Sequence, residues 1–207
     1  MIICAGEIET FNFAAPVGIG LLDVSINLTK ICIEKNPDFL LFIGSAGSYG
    51  RKGIFEIVES KTASNIENSF LDGSSYTPID NVVSAAEDVS RETSETEDKL
   101  LSSVVFKPEQ SSKAASESRE TLVNCSNYIT ADSRYAKEYL KRNIDLENME
   151  FYAVLKVAQR FGIPAGGVFV VTNYCDENAH RDFKKNHKEA MLKLTAYLNK
   201  KNKELRV

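Results

Sequence analysis

The chain has 207 residues, of which 43% are hydrophobic and 26% charged, with a net charge of −4 and a sequence pI of about 5.4. That balance fits a soluble globular protein with a sizeable core, and it excludes a general nucleic-acid binder, which needs a basic excess against phosphates. Cys4, Cys32, Cys125 and Cys175 form no CxxC pair and no zinc spacing, and neither a leader nor a membrane-length apolar run is visible, so a reduced, cytoplasmic protein away from membranes is expected.

In chain order, Ile2–Cys4 reads as a strand closed by Ala5-Gly6, and the apolar patch Phe11–Val17 leads into Gly18-Ile19-Gly20. From Leu21 to Lys35 the spacing predicts a helix with Leu22, Ile26, Ile31 and Ile33 as its apolar residues. Asn36-Pro37 ends it, because a residue before proline avoids the helical region. Phe39–Ile43 is a continuous apolar run of the kind found in strands buried on both faces, and Gly44-Ser45-Ala46-Gly47 follows at once. A further strand opens at Phe55–Val58. Ser84–Glu120 holds nine serines, many charges and no glycine, which marks an exposed polar excursion whose one apolar island is Leu100–Phe106. Order returns with a strand-like Leu122–Ile129 and a short helix Ser133–Arg142 capped by Asp132 or Ser133. Phe151–Phe161 is an amphipathic helix with Val154, Val157, Ala158 and Phe161 on one face, stopped by Gly162 and Pro164. Val168–Val171 is another doubly buried strand, and a last helix runs from about Asp182 to Lys200.

Strands alternating with helices predict one α/β domain over the whole chain, with a mostly parallel sheet covered on both faces. Ligands of such sheets bind at the carboxyl ends of strands, which marks Gly44–Gly47, the stretch after Val123, and Thr172-Asn173. In FIGSAGSYG (Phe42–Gly50) the glycines allow a ligand close to the backbone, with the hydroxyl of Ser45 beside it; a plain tight turn explains them equally well. Glu150 either caps the following helix or accepts hydrogen bonds from a diol, with Met149 as an apolar platform. Tyr128 is either a core aromatic or a stacking surface for a flat base. Cys175, Asp176 and His180 suggest a metal only superficially, since their spacing fits no standard site. Ser45 lacks the nucleophile-elbow pattern of a catalytic triad.

Taken together, VGIG (Val17–Gly20), PDFLLFIGSAG (Pro37–Gly47), CSNYI (Cys125–Ile129), NMEFYAVLKVAQRFGIP (Asn148–Pro164) and VFVVTNYCDENAHRDF (Val168–Phe183) resemble the nucleoside phosphorylase and nucleosidase family in order and spacing. The resemblance implies a three-layer α/β sandwich with a central mixed, mostly parallel sheet closing toward a barrel. It implies cleavage of the N-glycosidic bond of a nucleoside. The substrate-binding set it carries over is Gly20, Ser45, Ala46, Gly47, Tyr128, Ile129, Met149, Glu150, Asn173 and Phe183. In that set Ser45, Ala46 and Gly47 lie near the nucleophile, Met149 and Glu150 hold the ribose, Tyr128 stacks on the base, Phe183 closes the pocket, and Asn173 faces the purine, with Glu150 and Asn173 in catalytic roles. No cofactor and no metal is implied. Inorganic phosphate is the co-substrate of the phosphorylases, and homodimers or trimers of dimers are the implied assemblies, with Phe70 and Tyr76 as candidates to reach a partner's site.

Three departures from the family pattern direct the functional reading. The family's Ser-Asp pair is Thr172-Asn173 here; an asparagine cannot give purine N7 a proton but still hydrogen-bonds, which points to 6-oxopurine nucleosides. The phosphate-binding arginine of the hexameric phosphorylases is replaced by Phe42, so a phosphate would need Arg51, Arg119, Arg134 or a cation from a neighbouring subunit. Ile3–Gly20 aligns with the family's second and third strands, which leaves the first strand and its water-activating glutamate without a counterpart; Glu7 and Glu9 lie nearby in a different context. On this basis a purine nucleoside phosphorylase releasing free base and ribose 1-phosphate is expected. A nucleosidase using water and a non-catalytic nucleoside-binding homologue are the alternatives.

Overall fold

The computed structural model describes residues 1–85 and 120–204. The expected excursion, with its apolar island Leu100–Phe106, lies almost wholly outside the described residues. Among the described residues nine strands make one mixed sheet: β1 (Ile2–Cys4), β2 (Ala15–Pro16), β3 (Leu40–Ser48), β4 (Ile57–Ser60), β5 (Thr62–Ser64), β6 (Val82–Ser84), β7 (Leu122–Cys125), β8 (Ile144–Asn148) and β9 (Ala165–Tyr174). The helices are α1 (Gly20–Lys35), α2 (Asn68–Leu71), α3 (Ser133–Lys141), α4 (Phe151–Phe161) and α5 (Ala179–Glu204). The path β2-β1-β3-β8-β7-β5-β6 is joined by β9, which lies parallel to β3 and antiparallel to β4. The pairings of β1 with β2 and β3, and of β7 with β5 and β8, are also parallel, so the expected mostly parallel α/β sheet is what forms.

The doubly buried character of β3 and β9 follows from their alternation. Leu40 and Phe42, with Phe169 and Val171, face one core layer together with Val24, Leu28 and Cys32 of α1 and the buried face of α4. Leu41 and Ile43, with Val168 and Val170, face a second layer against Ala190, Leu194 and Leu198 of α5. Each such side chain contributes roughly 1.5–3 kcal/mol on burial, so these two strands anchor the molecule. Phe42 is wholly buried, packed against Phe151 and Phe169 at 6.3 and 5.9 Å between ring centres.

Helix α1 differs from its expected orientation. It buries Gly20, Val24, Leu28 and Cys32 at intervals of four, while Leu22, Ile26 and Ile33 stay 60–69% exposed. The helix is apolar on two sides, and the regular i, i+4 stripe wins the core. The GSAG segment also differs: it is strand, not turn, because Gly44–Gly47 continue the parallel ladder with β9, broken by a register shift between Ala46 and Gly47. Strand β8 went unread because Asp145 and Glu147 break its apolar pattern, yet all five of its residues are buried. The Asp132 cap on α3 and the left-handed Gly162 at the end of α4 fall where expected.

Candidate active site

One edge of β3 pairs with β9 along its whole length, but the other edge is shared. β1 pairs with its first half, at Leu41 and Phe42, and β8 with its end, at Gly47 and Ser48. Between these two partners the ladder has a gap at Ser45, and side chains fill it. The Ser45 N–H donates to Glu9 Oε2 at 3.1 Å, and the Asn148 amide donates to the Ser45 carbonyl at 3.2 Å. The Ser45 hydroxyl also donates to Glu9 Oε1. A buried backbone must be satisfied, and here the groups that satisfy it form the floor of a cavity of about 290 Å³.

Gly44 belongs to this arrangement through close approach rather than turn geometry. A Cβ at Gly44 would sit 2.9 Å from Glu9 Oε2. Gly44→Ala should therefore push the carboxylate off Ser45. The expected result is a soluble protein destabilised by about 1–3 kcal/mol whose activity falls further than its melting temperature suggests; unchanged kinetics would show that Glu9 needs no fixed seat.

Glu150 takes neither of its simplest roles alone. It occupies the N-cap position of α4, but its side chain makes no capping bond there. Asn148 Oδ1 serves that helix start instead, accepting from the N–H groups of Glu150 and Phe151 at 2.8 Å each. The Glu150 carboxylate reaches across to the start of α1, accepting from the Gly20 N–H at 3.0 Å, while its other oxygen accepts from the Met149 N–H at 3.2 Å. The neighbouring Leu21 N–H is taken by Asn127 Oδ1, so side chains from two other segments satisfy the first turn of α1. Burial pushes the Glu150 carboxyl up to about 7, the Gly20 N–H opposing and nearby Glu9 adding to the rise. Each oxygen keeps acceptor capacity toward the cavity.

Glu147 is a third lining carboxylate with a different task. Its oxygens accept from the Thr130 N–H, the Thr130 hydroxyl and the Tyr49 hydroxyl, which fixes the chain after Ile129 against β8. Burial raises its pKa against those hydrogen bonds. Asn173 is strand, not turn, and is buried at the cavity wall. Its Oδ1 accepts from the Thr172 hydroxyl at 2.9 Å and its Nδ2 donates to the Tyr174 carbonyl at 3.0 Å, leaving one N–H and one lone-pair direction for a ligand.

The structure thus brings Ser45, Ala46, Gly47, Ile129, Met149, Glu150, Asn173 and Phe183 to one cavity. Gly20 contributes its N–H to Glu150 from behind the lining. Tyr128 is the exception: it is 76% exposed and outside the lining, its N–H held by the Ser126 hydroxyl, while the next residue, Ile129, borders the cavity though 56% exposed. Glu9, set aside on sequence context, is a cavity-lining carboxylate that the sequence reading left out of the site; only the loop after β1 and the gap in β3 reveal it. No lysine or arginine lines the cavity among the described residues. Arg51 is bound to Asp145 and to the Leu140 carbonyl, Arg134 to Asp132, and Arg119 lies outside the described residues. Phe70 and Tyr76 lie at the surface. Among the described residues no three His, Cys, Asp or Glu side chains gather as metal ligands, and no helix is long and apolar enough to cross a membrane.

A mixed sheet with its cavity at the carboxyl ends of β1, β3 and β9, walled by carboxylates and small residues, is the arrangement of an α/β ligand-binding protein. The sequence signature of the phosphorylase superfamily covers residues 3–200, and the chain belongs to that superfamily. Among solved structures the chain is similar to the futalosine hydrolase of Helicobacter pylori strain 26695, with a TM-score of 0.72 at 15% identity over 98% of this chain and 96% of that one. It is also similar to the 5'-methylthioadenosine/S-adenosylhomocysteine nucleosidase of Helicobacter pylori, with a TM-score of 0.69 at 16% identity over 98% and 97%. The S-adenosylhomocysteine nucleosidase of Streptococcus pyogenes gives a TM-score of 0.71 at 13% identity over 100% and 96%. No curated protein matches the sequence.

Proposed function

We propose that the protein is a nucleosidase, hydrolysing the N-glycosidic bond of a purine nucleoside with water. The observation that carries this reading is the Glu9 carboxylate, seated on Ser45 in a cavity that also holds Glu150 and is lined by no lysine or arginine among the described residues. A phosphate dianion placed there would face Glu9, Glu147 and Glu150, with His180 as the basic side chain of the lining and no lysine or arginine opposite it among the described lining residues, which a partly buried site penalises by several kcal/mol. Water carries no such penalty. The reading therefore departs from the phosphorolysis expected from the sequence.

In this mechanism Glu9 takes a proton from a water aligned on the anomeric carbon, as its two bonds from Ser45 orient it. Glu150 accepts from the ribose 2′- and 3′-hydroxyls and places negative charge against the cationic sugar of the transition state. Met149 packs on the sugar, and the free Asn173 N–H meets the charge that develops on the leaving base. No resident cofactor enters the reaction. Purified protein incubated with inosine, guanosine, adenosine, 5'-methylthioadenosine and futalosine, with and without phosphate, should release free base at equal rates in both conditions. Release that requires phosphate would return the phosphorylase reading, and tight binding without release would make the protein a binding homologue.

The substrate class rests on Asn173. A neutral amide suits a 6-oxopurine, whereas an acid at this position can protonate N7. Asn173→Asp should raise the rate on 6-amino relative to 6-oxo purines by about tenfold or more; an unchanged ratio removes Asn173 from base recognition.

The four buried, unbridged thiols support a cytoplasmic setting. The exposed Leu22, Ile26 and Ile33 continue from Ile19 and Ile129 at the cavity mouth, and we assign this apolar face to a second copy of the chain. Sedimentation should give a dimer that Ile26→Asp converts to monomer; a monomeric wild type would overturn that assignment.

A further inference from the structure

His187 stands behind Glu9. It lies on α5, one helical turn after Phe183, with the two rings 5.0 Å apart. Its Nε2 is buried and has no hydrogen-bond partner among the described residues. The carboxylate oxygen facing it is Glu9 Oε1, 4.0 Å away, the same oxygen that accepts the Ser45 hydroxyl. His187 also lines a second, more open groove with Ile8, Thr10, Phe11, Lys188, Met191 and Thr195. The imidazole therefore adjoins both the carboxylate of the cavity and a groove open to solvent. A buried ring nitrogen without a partner is costly, and a shift of about 1 Å, or a single water, closes the gap to hydrogen-bond length.

We propose that His187 is the positioning and proton-relay residue of Glu9. The inference rests on the hydrolytic reading above. In that reaction water loses a proton to Glu9 as its oxygen bonds to the anomeric carbon and the C–N bond breaks. The departing base takes its proton from solvent, because Asn173 has none to give. Glu9 must then shed the proton it gained before the next turnover. With its Nε2 lone pair toward Glu9, the imidazole accepts that proton at Nε2, gives up the Nδ1 proton to water of the second groove, and regains its starting tautomer by exchanging protons with water before the next turnover. Atoms and charge balance with water as the sole co-reactant. Among the described residues the titratable groups around this pair are Glu150 from the start of α4 and Cys4 at the end of β1, both coupled to Glu9, Glu147 of β8 and His180 of α5 in the cavity lining, and Lys188 of α5, which stands with His187 in the groove wall.

Three variants and one spectroscopic comparison test the assignment. His187→Phe keeps the ring contact with Phe183 and should lower kcat by about tenfold to a hundredfold with KM nearly unchanged. His187→Ala should recover activity as free imidazole is added, an effect that a purely structural role would not produce. Wild-type kinetics in His187→Phe, or a loss in His187→Ala that imidazole does not restore, would overturn the relay. The pairing itself is read without turnover, by comparing the His187 ring nitrogen resonances of wild type and Glu9→Gln at one pH. The Nε2 resonance should move when the carboxylate is replaced, and an unchanged resonance overturns the proposal. A protein that shows this coupling but releases no base from any nucleoside would sink the hydrolytic reading and leave the Glu9–His187 contact standing.

Discussion

Glu9→Gln should leave a folded protein that binds nucleoside and turns it over about 10²- to 10⁴-fold more slowly, with KM little changed. The substitution keeps one acceptor oxygen for the Ser45 N–H, and the Ser45 hydroxyl turns to accept from the new amide NH2, so the floor of the cavity stays assembled, yet the amide cannot take a proton from water. In the proposed hydrolysis the loss belongs in kcat, because there Glu9 acts on the nucleophile rather than on the bound sugar. A variant with wild-type kcat would place the base elsewhere. A variant that loses affinity and turnover together would make Glu9 a binding residue.

Glu150→Gln carries the second large effect, and it depends on pH. The carboxylate titrates at about 7 because burial outweighs the Gly20 and Met149 N–H bonds. Only the ionised form accepts from both ribose hydroxyls and opposes the sugar cation, so wild-type kcat/KM should fall about tenfold per unit as pH drops below 7. The Gln variant should lose roughly a hundredfold or more in kcat/KM above pH 7, with that limb of the profile flattened. Stability moves the other way. The folded value lies above the ordinary 4.5, so the native state binds the extra proton between about 4.5 and 7. Its stability therefore declines as pH rises through that window and levels off above it. The neutral Gln side chain lacks that slope, so the melting temperature of the variant relative to wild type should climb from pH 5 to pH 8. A difference that stays constant with pH would mean Glu150 is already ionised at pH 5.

The two expectations share one cause. An enzyme that must stabilise a cation holds carboxylates where folding alone would not place them. Three carboxylates line this cavity, and they divide the work by how many partners each has. Glu147 is held by Thr130 and Tyr49 and supports the wall, whereas Glu9 and Glu150 keep capacity for ligand.

Much of this was legible in the sequence, because the signals that carried it were local. Phe39–Ile43 and Val168–Val171 announced the two central strands, and Gly162 with Pro164 marked the end of α4. The Met149–Glu150 pair and Asn173 were found through their order along the chain. What the sequence hid depends on pairing between distant segments. Whether GSAG is turn or strand is decided by β9, more than 120 residues on, since the ladder runs straight through it. Asp145 and Glu147 disguise β8, because their partners Arg51, Thr130 and Tyr49 come from other segments. Helix α1 offers two apolar faces, and only the shape of the sheet chooses between them. Glu9 was invisible for the same reason: its partner is the unpaired stretch of β3 left between β1 and β8, a feature of topology rather than of composition.

The hydrolytic claim is tested most directly by identifying the sugar product by mass spectrometry when the protein cleaves its best nucleoside in excess phosphate. The account predicts free ribose, or the free 5′-substituted sugar, as the product even under those conditions. Ribose 1-phosphate, or its 5′-substituted counterpart, would contradict it and show that a cation from outside the described cavity brings phosphate to the anomeric carbon.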